Sequence, residues 1–335
     1  MACWTAWRTC SAPRNFAPPD GPRVMGDEFA RIARYFAPLA GEEGRGLTDD
    51  AAVFAPPAGR ELVLTVDQML EDVHFLKNDS PELIARKLLR RNLSDLAAMG
   101  ATPLGYLLTT ALTADVPEDW LASFAKGLGQ DQETYNIKLF GGDSSSSQGK
   151  ISLSATLIGH VAPGEALSRN GARAGDDIWV TGTIGDAALG LQARLGKLQD
   201  ASGYLVARSM LPEPRVGLAL AGVVSAATDI SDGLVQDLGH MCRGAGLSAV
   251  IRAGLVPASP QAAAFGPAFL ESRLTDGDDY ELLLAVPPGN GDALQAACGN
   301  LKITRIGAFQ AGSGVQVLSD TGAEMKFKKP GWRHF

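Results

Sequence analysis

From Met25 onward the hydrophobic positions repeat at two spacings. Phe29, Ile32, Ala33 and Phe36 recur at helical intervals and predict a first helix. Glu61 to Val66 (ELVLTV) is a short apolar run with β-branched members. It predicts a buried strand that delivers Asp67 at its C-terminal edge, where α/β folds place ligands. Pro81 to Gly100 returns to the helical interval, with Pro suited to the first turn and Gly to the stop. On a wheel of about 100° per residue, Glu82, Arg86, Lys87, Arg90 and Arg91 gather on one side. Ile84, Leu88, Leu89, Leu96 and Met99 gather on the other. Asp95 falls inside that apolar stripe, with Asn92 beside it one turn earlier. A carboxylate there costs several kcal/mol unless a cation or dense hydrogen bonding meets it. It either braces a neighbouring loop or belongs to a site.

The same reading carries through the chain. Gly46 to Val53 is a turn with adjacent carboxylates, Asp49 and Asp50, and a loop with Glu71, Asp72 and His74 precedes the Pro81 helix. A strand from Leu104 to Thr110 and a helix from Pro117 to Gln130 lead to Lys138-Leu139-Phe140, then Gly141-Gly142-Asp143 and Ser144 to Ser147. Ile151 to His160 alternates like a strand. Pro163 to Asp177 is rich in Gly, Arg and Ala and marks a boundary. The second half predicts a strand at Asp177–Val180, a helix from Asp186, a helix from Pro214 to Val224 and a strand from Ala226 to Ile230. It continues with Ser231-Asp232-Gly233, a helix from Leu234 to Arg243 carrying Asp237 and His240, the turn Thr275 to Glu281, and a strand from Leu282 to Val286. Strands and helices alternating in both halves predict an α/β (α+β) fold. The domains expected are 25–162 and 163–335, after a disordered extension at 1–24 that has no helical or strand period.

Composition narrows the chemistry. A net charge of -7 and a pI near 5.2 argue against a nucleic-acid surface. No apolar run approaches the roughly 20 residues of a membrane span. Cys3, Cys10, Cys242 and Cys298 form no CxxC pair, so a reducing, cytoplasmic setting is the default. Asp49, Asp50, Asp67, Asp95, Asp143, Asp229 and Asp232 each sit at a strand end, in a Gly-containing turn or on an apolar face. Clustered oxygen donors without paired Cys or His suit Mg2+, bound through carboxylates together with substrate phosphates. GxxxxGK[ST], the HRD and DFG kinase elements, HExxH and GxSxG are all absent. Thr181-Gly182-Thr183-Ile184-Gly185 lacks the GxGxxG spacing of a dinucleotide turn. A nucleotide would therefore have its phosphates held mainly through carboxylate-bridged metal ions.

GLTDDAAV, TVD followed by VHF, NLSDLAAMGA, GGD, SRNGARAGD, DISDGLVQDLGH, DGDDYEL and the closing GWRHF stand in the order seen in thiamine-monophosphate kinases. The chain from Met25 to Phe335 resembles that family, within the superfamily of aminoimidazole ribotide synthetase. The resemblance implies the two-domain aminoimidazole ribotide synthetase-like fold, with N-terminal sheets pairing in a homodimer. It also implies phosphorylation of thiamine monophosphate with ATP as co-substrate and several Mg2+ ions. Carried over by position, Asp49, Thr65, Asp67, Asp95, Asp143, Asp229 and Asp232 match metal-associated positions. Tyr135, Gly142, Asp143, Arg169 and Ser231 match nucleotide contacts, and His74, Asp278 and Trp332 match contacts to the thiamine moiety. Asp95, Asp143, Asp232 and Arg169 are the expected catalytic group.

Three strings depart from the family. GGDTTRG is Gly-Gly-Asp-Ser-Ser-Ser-Ser-Gln-Gly here, without the arginine. GGEDYEL is DGDDYEL, with Asp278 in place of Glu, and GIGDD is GLTDD. The rival readings are a sister enzyme of the superfamily acting on a formylglycinamidine ribotide or selenide, and a non-catalytic thiamine-phosphate or nucleotide-binding regulator.

Overall fold

The computed structural model describes residues 28–332, so the extension expected at 1–24 lies outside the described residues. After α1 (Glu28–Arg31) and tight helical turns to Leu39, the first half places β1 (Glu61–Leu70), α2 (Pro81–Ala98), β2 (Thr102–Thr113), α3 (Glu118–Tyr135), β3 (Lys138–Ser147) and β4 (Ser152–Val161). Its sheet has the order β1-β4-β2-β3, and only β2 and β3, joined across α3, run parallel. The second half adds β5 (Asp177–Thr181), α4 (Asp186–Arg194), α5 (Tyr204–Met210), β6 (Ala226–Asp229), α6 (Leu234–Ala245) and β7 (Leu247–Arg252). It closes with α7 (Pro260–Ala263), α8 (Leu270–Thr275), β8 (Leu282–Val286), α9 (Gly291–Cys298), β9 (Ile303–Ala311) and β10 (Gly314–Leu318). These strands form a six-stranded sheet ordered β10-β7-β9-β5-β8-β6.

β1 is buried on one face only, which corrects the fully buried strand expected at 61–66. Met69 is inside, while Leu64 and Val66 are 63% and 62% exposed. Helix α2 covers only the face that carries Thr65, Asp67 and Met69, and period-two alternation turns Leu62, Leu64 and Val66 outward.

α2 lies between the two sheets. Ile84, Leu88, Leu93 and Leu96 pack into the first core, and Ala97 and Ala98 join a cluster with Leu282 and Leu284 of β8. Its cationic side, which the wheel sets opposite the apolar stripe, is buried as well. Asp131 of α3 is 0% exposed and accepts from Arg86 Nε at 3.0 Å and from Arg90 Nε at 2.8 Å. Arg90 Nη1 donates to the Pro212 carbonyl at 2.8 Å. A charged helix face need not be a wet one when a buried counter-charge meets it.

The helix expected from Pro214 to Val224 is absent. Gly217 and Gly222 hold φ of +84° and +74°, outside the helical region, and Arg215 Nε reaches across to Glu281 at 2.6 Å. At Thr181–Gly185 the N-terminus of α4 is already occupied. Asp279 accepts from the Gly185 and Ala187 amides at 2.8 and 3.3 Å, where a dinucleotide turn would hold phosphate.

Candidate active site

The carboxylates converge where α2 meets the middle of β1, which runs on to Leu70 past the edge expected at Asp67, and the end of β6. Thr65 Oγ1 donates to Asp95 Oδ2 at 2.6 Å, joining β1 to α2. Asp67, on the same face two residues along, lies 3.3 Å from Arg91 Nε. Asp229 ends β6 and is buried; burial, then Asp95 and Asp237, push its carboxyl well above the ordinary range. Burial, with Asp67 adding to it against the pull of Thr65, Arg91 and Arg169, raises Asp95 to about 6. Burial likewise raises Asp67, Arg91 opposes it, and Asp278 and Asp232 add to it. Arg169 bonds Thr228 on β6 at 3.2 Å and acts on Asp95. Thr65, Asp67, Asp95, Asp229, Asp232, Asp278 and Arg169 therefore share one electrostatic centre.

Asp49 and Asp143 are not brought to it. Asp67 pairs with Ala155, Ala155 with Leu108, and Leu108 with Gly142, so Asp143 falls one residue along, opposite Thr109. Adjacent strand residues take opposite faces, so Asp143 points away from α2. The cause is a bulge: the register shifts at Tyr106/Leu107, and Phe140 is the extra residue. On that outer face Asp49, Gly142, Asp143, Thr156 and Ile158 line a cavity of about 610 Å³. Gly142 has a packing reason of its own, since a Cβ there would meet the Leu108 carbonyl oxygen at 1.9 Å. Tyr135 packs under the Arg90 guanidinium at 5.4 Å, in the α2–α3 seam.

The loops after β6 and before β8 complete the centre. One oxygen of Asp237 accepts the amides of Ser231, Asp232 and Gly233 at 3.0, 3.0 and 3.1 Å, and so fixes the DISDG turn. Asp232, Asp237 and His240 place ligand atoms within 4.8 Å of one another. Gly277 lets the DGDDYEL loop lie on this turn, because a Cβ would meet the Ser231 carbonyl at 1.9 Å. The next residue, Asp278, sits at φ +71°, a strained position for a side chain. Its amide bonds the Ser231 carbonyl at 2.9 Å.

Lys87, in sequence one more cation on the charged side of α2, is central to the site. Its buried ammonium donates to Asp278 Oδ2 at 2.7 Å, the Ser209 carbonyl at 3.1 Å and the His74 carbonyl at 3.3 Å. Although burial opposes it, Lys87 and then Arg91 hold the Asp278 carboxyl below its ordinary value. Two expected substrate contacts, His74 and Asp278, thus hang from one side chain of α2. Trp332 is 46% exposed; its amide bonds the Asp232 carbonyl at 3.0 Å, and Lys329 Nζ lies 5.8 Å from its ring centroid.

Residues 48–161 match the family model of AIR synthase related protein, N-terminal domain, and residues 173–320 that of the C-terminal domain. Thiamine-monophosphate kinase of Caulobacter vibrioides is 38% identical over 343 residues, covering 99% of this chain and 95% of that protein. The chain belongs to the thiamine-monophosphate kinase family. The fold agrees. A crystal structure of thiamine-monophosphate kinase from Stenotrophomonas maltophilia superposes with a TM-score of 0.76 at 38% identity, over 86% of this chain and 93% of that one. AaThiL complexed with AMPPCP and TMP gives 0.74 at 31% identity, over 86% and 91%. The two-domain α/β (α+β) architecture is that of thiamine-monophosphate kinases.

The raised carboxylates predict how stability depends on pH. Asp95 is near 6 in the folded chain against 3.8 ordinarily, so the folded state binds the proton more tightly. Its contribution is fully present below about 3.8 and is lost as pH rises through about 6. Metal-free protein should therefore melt several degrees higher at pH 5 than at pH 7.5 by calorimetry. Mg2+ at pH 7.5 should restore much of the difference. A flat profile would remove the electrostatic account of this centre.

Proposed function

We propose that this chain transfers the terminal phosphoryl group of ATP to thiamine monophosphate, giving thiamine diphosphate and ADP, with Mg2+ held at the acidic centre. The observation that carries the reading is the convergence of half-buried Asp67 and Asp95 with buried Asp229, under-compensated, at the junction of the two sheets. The donors fit Mg2+: they are carboxylate and hydroxyl oxygens, and the raised carboxyls mark a place short of positive charge. Thr65, Asp67, Asp95 and Asp229 would hold the ions, with Asp232 contributing a further ligand. When bound, Mg2+ supplies charge neutralisation between the two polyanions and helps to align attacking and leaving oxygens.

The side chains do the rest. The attacking phosphate of thiamine monophosphate has its second pKa at about 6 and is largely dianionic at neutral pH, so no general base is needed. Arg169 adds positive charge beside Asp95. Asp278, kept ionised by Lys87, faces the cationic thiamine moiety, and His74 is held with it. Lys329 already places a cation over the Trp332 ring, the face on which a thiazolium would rest. Trp332→Ala should raise the KM for thiamine monophosphate by about twofold to thirtyfold, from a cation–π contact of about 0.5–2 kcal/mol. An unchanged KM takes Trp332 out of the site.

The homodimer belongs to the same reading. Leu62, Leu64, Val66 and Leu107 form an exposed apolar stripe on the sheet face that also carries the cavity with Asp49, Gly142 and Asp143. A second copy's sheet would cover both. Light scattering should give twice the chain mass, and Leu64→Lys should give the monomer; a dimer untouched by Leu64→Lys puts the interface elsewhere. Among the described residues no helix is long and apolar enough to cross a membrane. A cytoplasmic enzyme without a nucleic-acid partner completes the proposal. The test is acceptor choice. With ATP and Mg2+, thiamine monophosphate should yield thiamine diphosphate and equimolar ADP, and thiamine should yield nothing; ATP hydrolysis without acceptor phosphorylation contradicts the reading.

A further inference from the structure

Two neighbouring arginines on α2 are both buried, and they are treated differently. Arg90 spends Nε, Nη1 and Nη2 on Asp131 and the Pro212 carbonyl. Arg91 is only 9% exposed, yet neither its Nε nor its Nη1 has a hydrogen-bond partner among the described residues. Its Nε is 3.3 Å from Asp67 Oδ2 but off the N–H direction, and its guanidinium lies 5.9 Å over the Tyr280 ring. Burial works against its charge, and Tyr280, Asp67, Asp278 and Asp95 all favour it. Asp67 is its ion-pair partner through Nε, and the other two carboxylates are engaged elsewhere. Asp278 takes Lys87 at 2.7 Å and Tyr280 at 3.0 Å, and Asp95 Oδ2 takes Thr65 at 2.6 Å.

A buried guanidinium N–H left without an acceptor is costly, so open donors beside this acidic centre mark a place for an anion. The planar fork of arginine matches a phosphoryl group, whose oxygens accept two parallel N–H bonds. Asp278 and Tyr280, which flank Arg91, belong to the side of the centre assigned above to the thiamine moiety.

We propose that Arg91 is a phosphate-binding residue of this centre, donating its open N–H groups to the phosphate of thiamine monophosphate. The inference rests on the function proposed above. Arg91 also places a fixed positive charge among the metal-binding carboxylates, so it weakens their hold on Mg2+ while it strengthens the hold on phosphate.

Titration calorimetry in Mg2+ buffer without nucleotide, using thiamine monophosphate and thiamine as paired probes, separates the possibilities. The unaltered protein should prefer thiamine monophosphate. Arg91→Met should weaken that ligand by about tenfold to a hundredfold, the loss of a charge-assisted hydrogen bond, and leave thiamine within about threefold. A separate Mg2+ titration should show tighter binding to the variant, because a like charge has left. Loss of both probes with weaker Mg2+ binding would mean a purely structural role and overturn the inference, as would unchanged preference for the phosphate. If Arg91→Met does not fold, Arg91→Gln keeps N–H donors at the Nε position while removing charge, and the same losses are expected of it. An unaltered protein that shows no preference for the phosphate defeats the proposed function itself, independently of Arg91.

Discussion

Asp95→Asn should lower kcat by about a hundredfold to a thousandfold and raise the Mg2+ requirement while the fold survives. The substitution keeps shape and leaves the amide oxygen to accept from Thr65 Oγ1, which now meets Asp95 at 2.6 Å. It removes a charge that burial already penalises, with the carboxyl raised to about 6. Stability and activity should therefore move in opposite directions: metal-free Asp95→Asn should melt no lower than the unaltered protein at pH 7.5. Its melting temperature should also lose much of its pH dependence. A side chain that only braced a loop would give the reverse, normal turnover with a lower melting temperature. Steady-state kinetics and calorimetry on the same preparation decide it.

Lys87→Met should be costly in a different way. It strands the Asp278 carboxylate and frees the carbonyls of His74 and Ser209. Removing one partner of a fully enclosed ion pair costs about 3–5 kcal/mol. Asp278 is 37% exposed, so water recovers part of this, and about 2–3 kcal/mol is expected. Because His74 and Asp278 both depend on Lys87, the KM for thiamine monophosphate should rise about tenfold while that for ATP changes little. Urea unfolding gives the first number and paired KM values the second. Equal rises in both KM values would make Lys87 a general stabiliser of the junction.

The local elements were largely legible in the sequence, and the long-range pairings were not. β8 runs over the expected residues Leu282–Val286, and α2 begins at the expected Pro81, because apolar runs and a first-turn proline act locally. The cationic side of α2 illustrates the limit. A wheel shows where the charges point; it cannot show that Asp131 waits 41 residues beyond Arg90, or Asp278 191 residues beyond Lys87. The helix expected at Pro214 fails for the same reason, since Arg215 answers to Glu281 across 66 residues.

The candidate site divides along similar lines. Asp95 is visible as a carboxylate on an apolar stripe; Asp67, expected at a strand edge, instead lies inside β1, which continues to Leu70. That Asp143 faces the other side of its sheet depends on one extra residue at Phe140. Without that bulge Asp143 would stand opposite Thr110, on the face of Thr65 and Asp67. No pattern of residue types announces such a shift. Nothing in the sequence around Arg91 marks it, because what distinguishes it is the set of N–H groups it leaves unbonded.

The most direct test of the acidic centre is anomalous scattering from Mn2+ in crystals grown with ADP and thiamine monophosphate. Peaks are expected about 2.1 Å from carboxylate oxygens of Asp67, Asp95 and Asp229. Peaks confined to other places, with these three carboxylates unligated, would contradict that assignment.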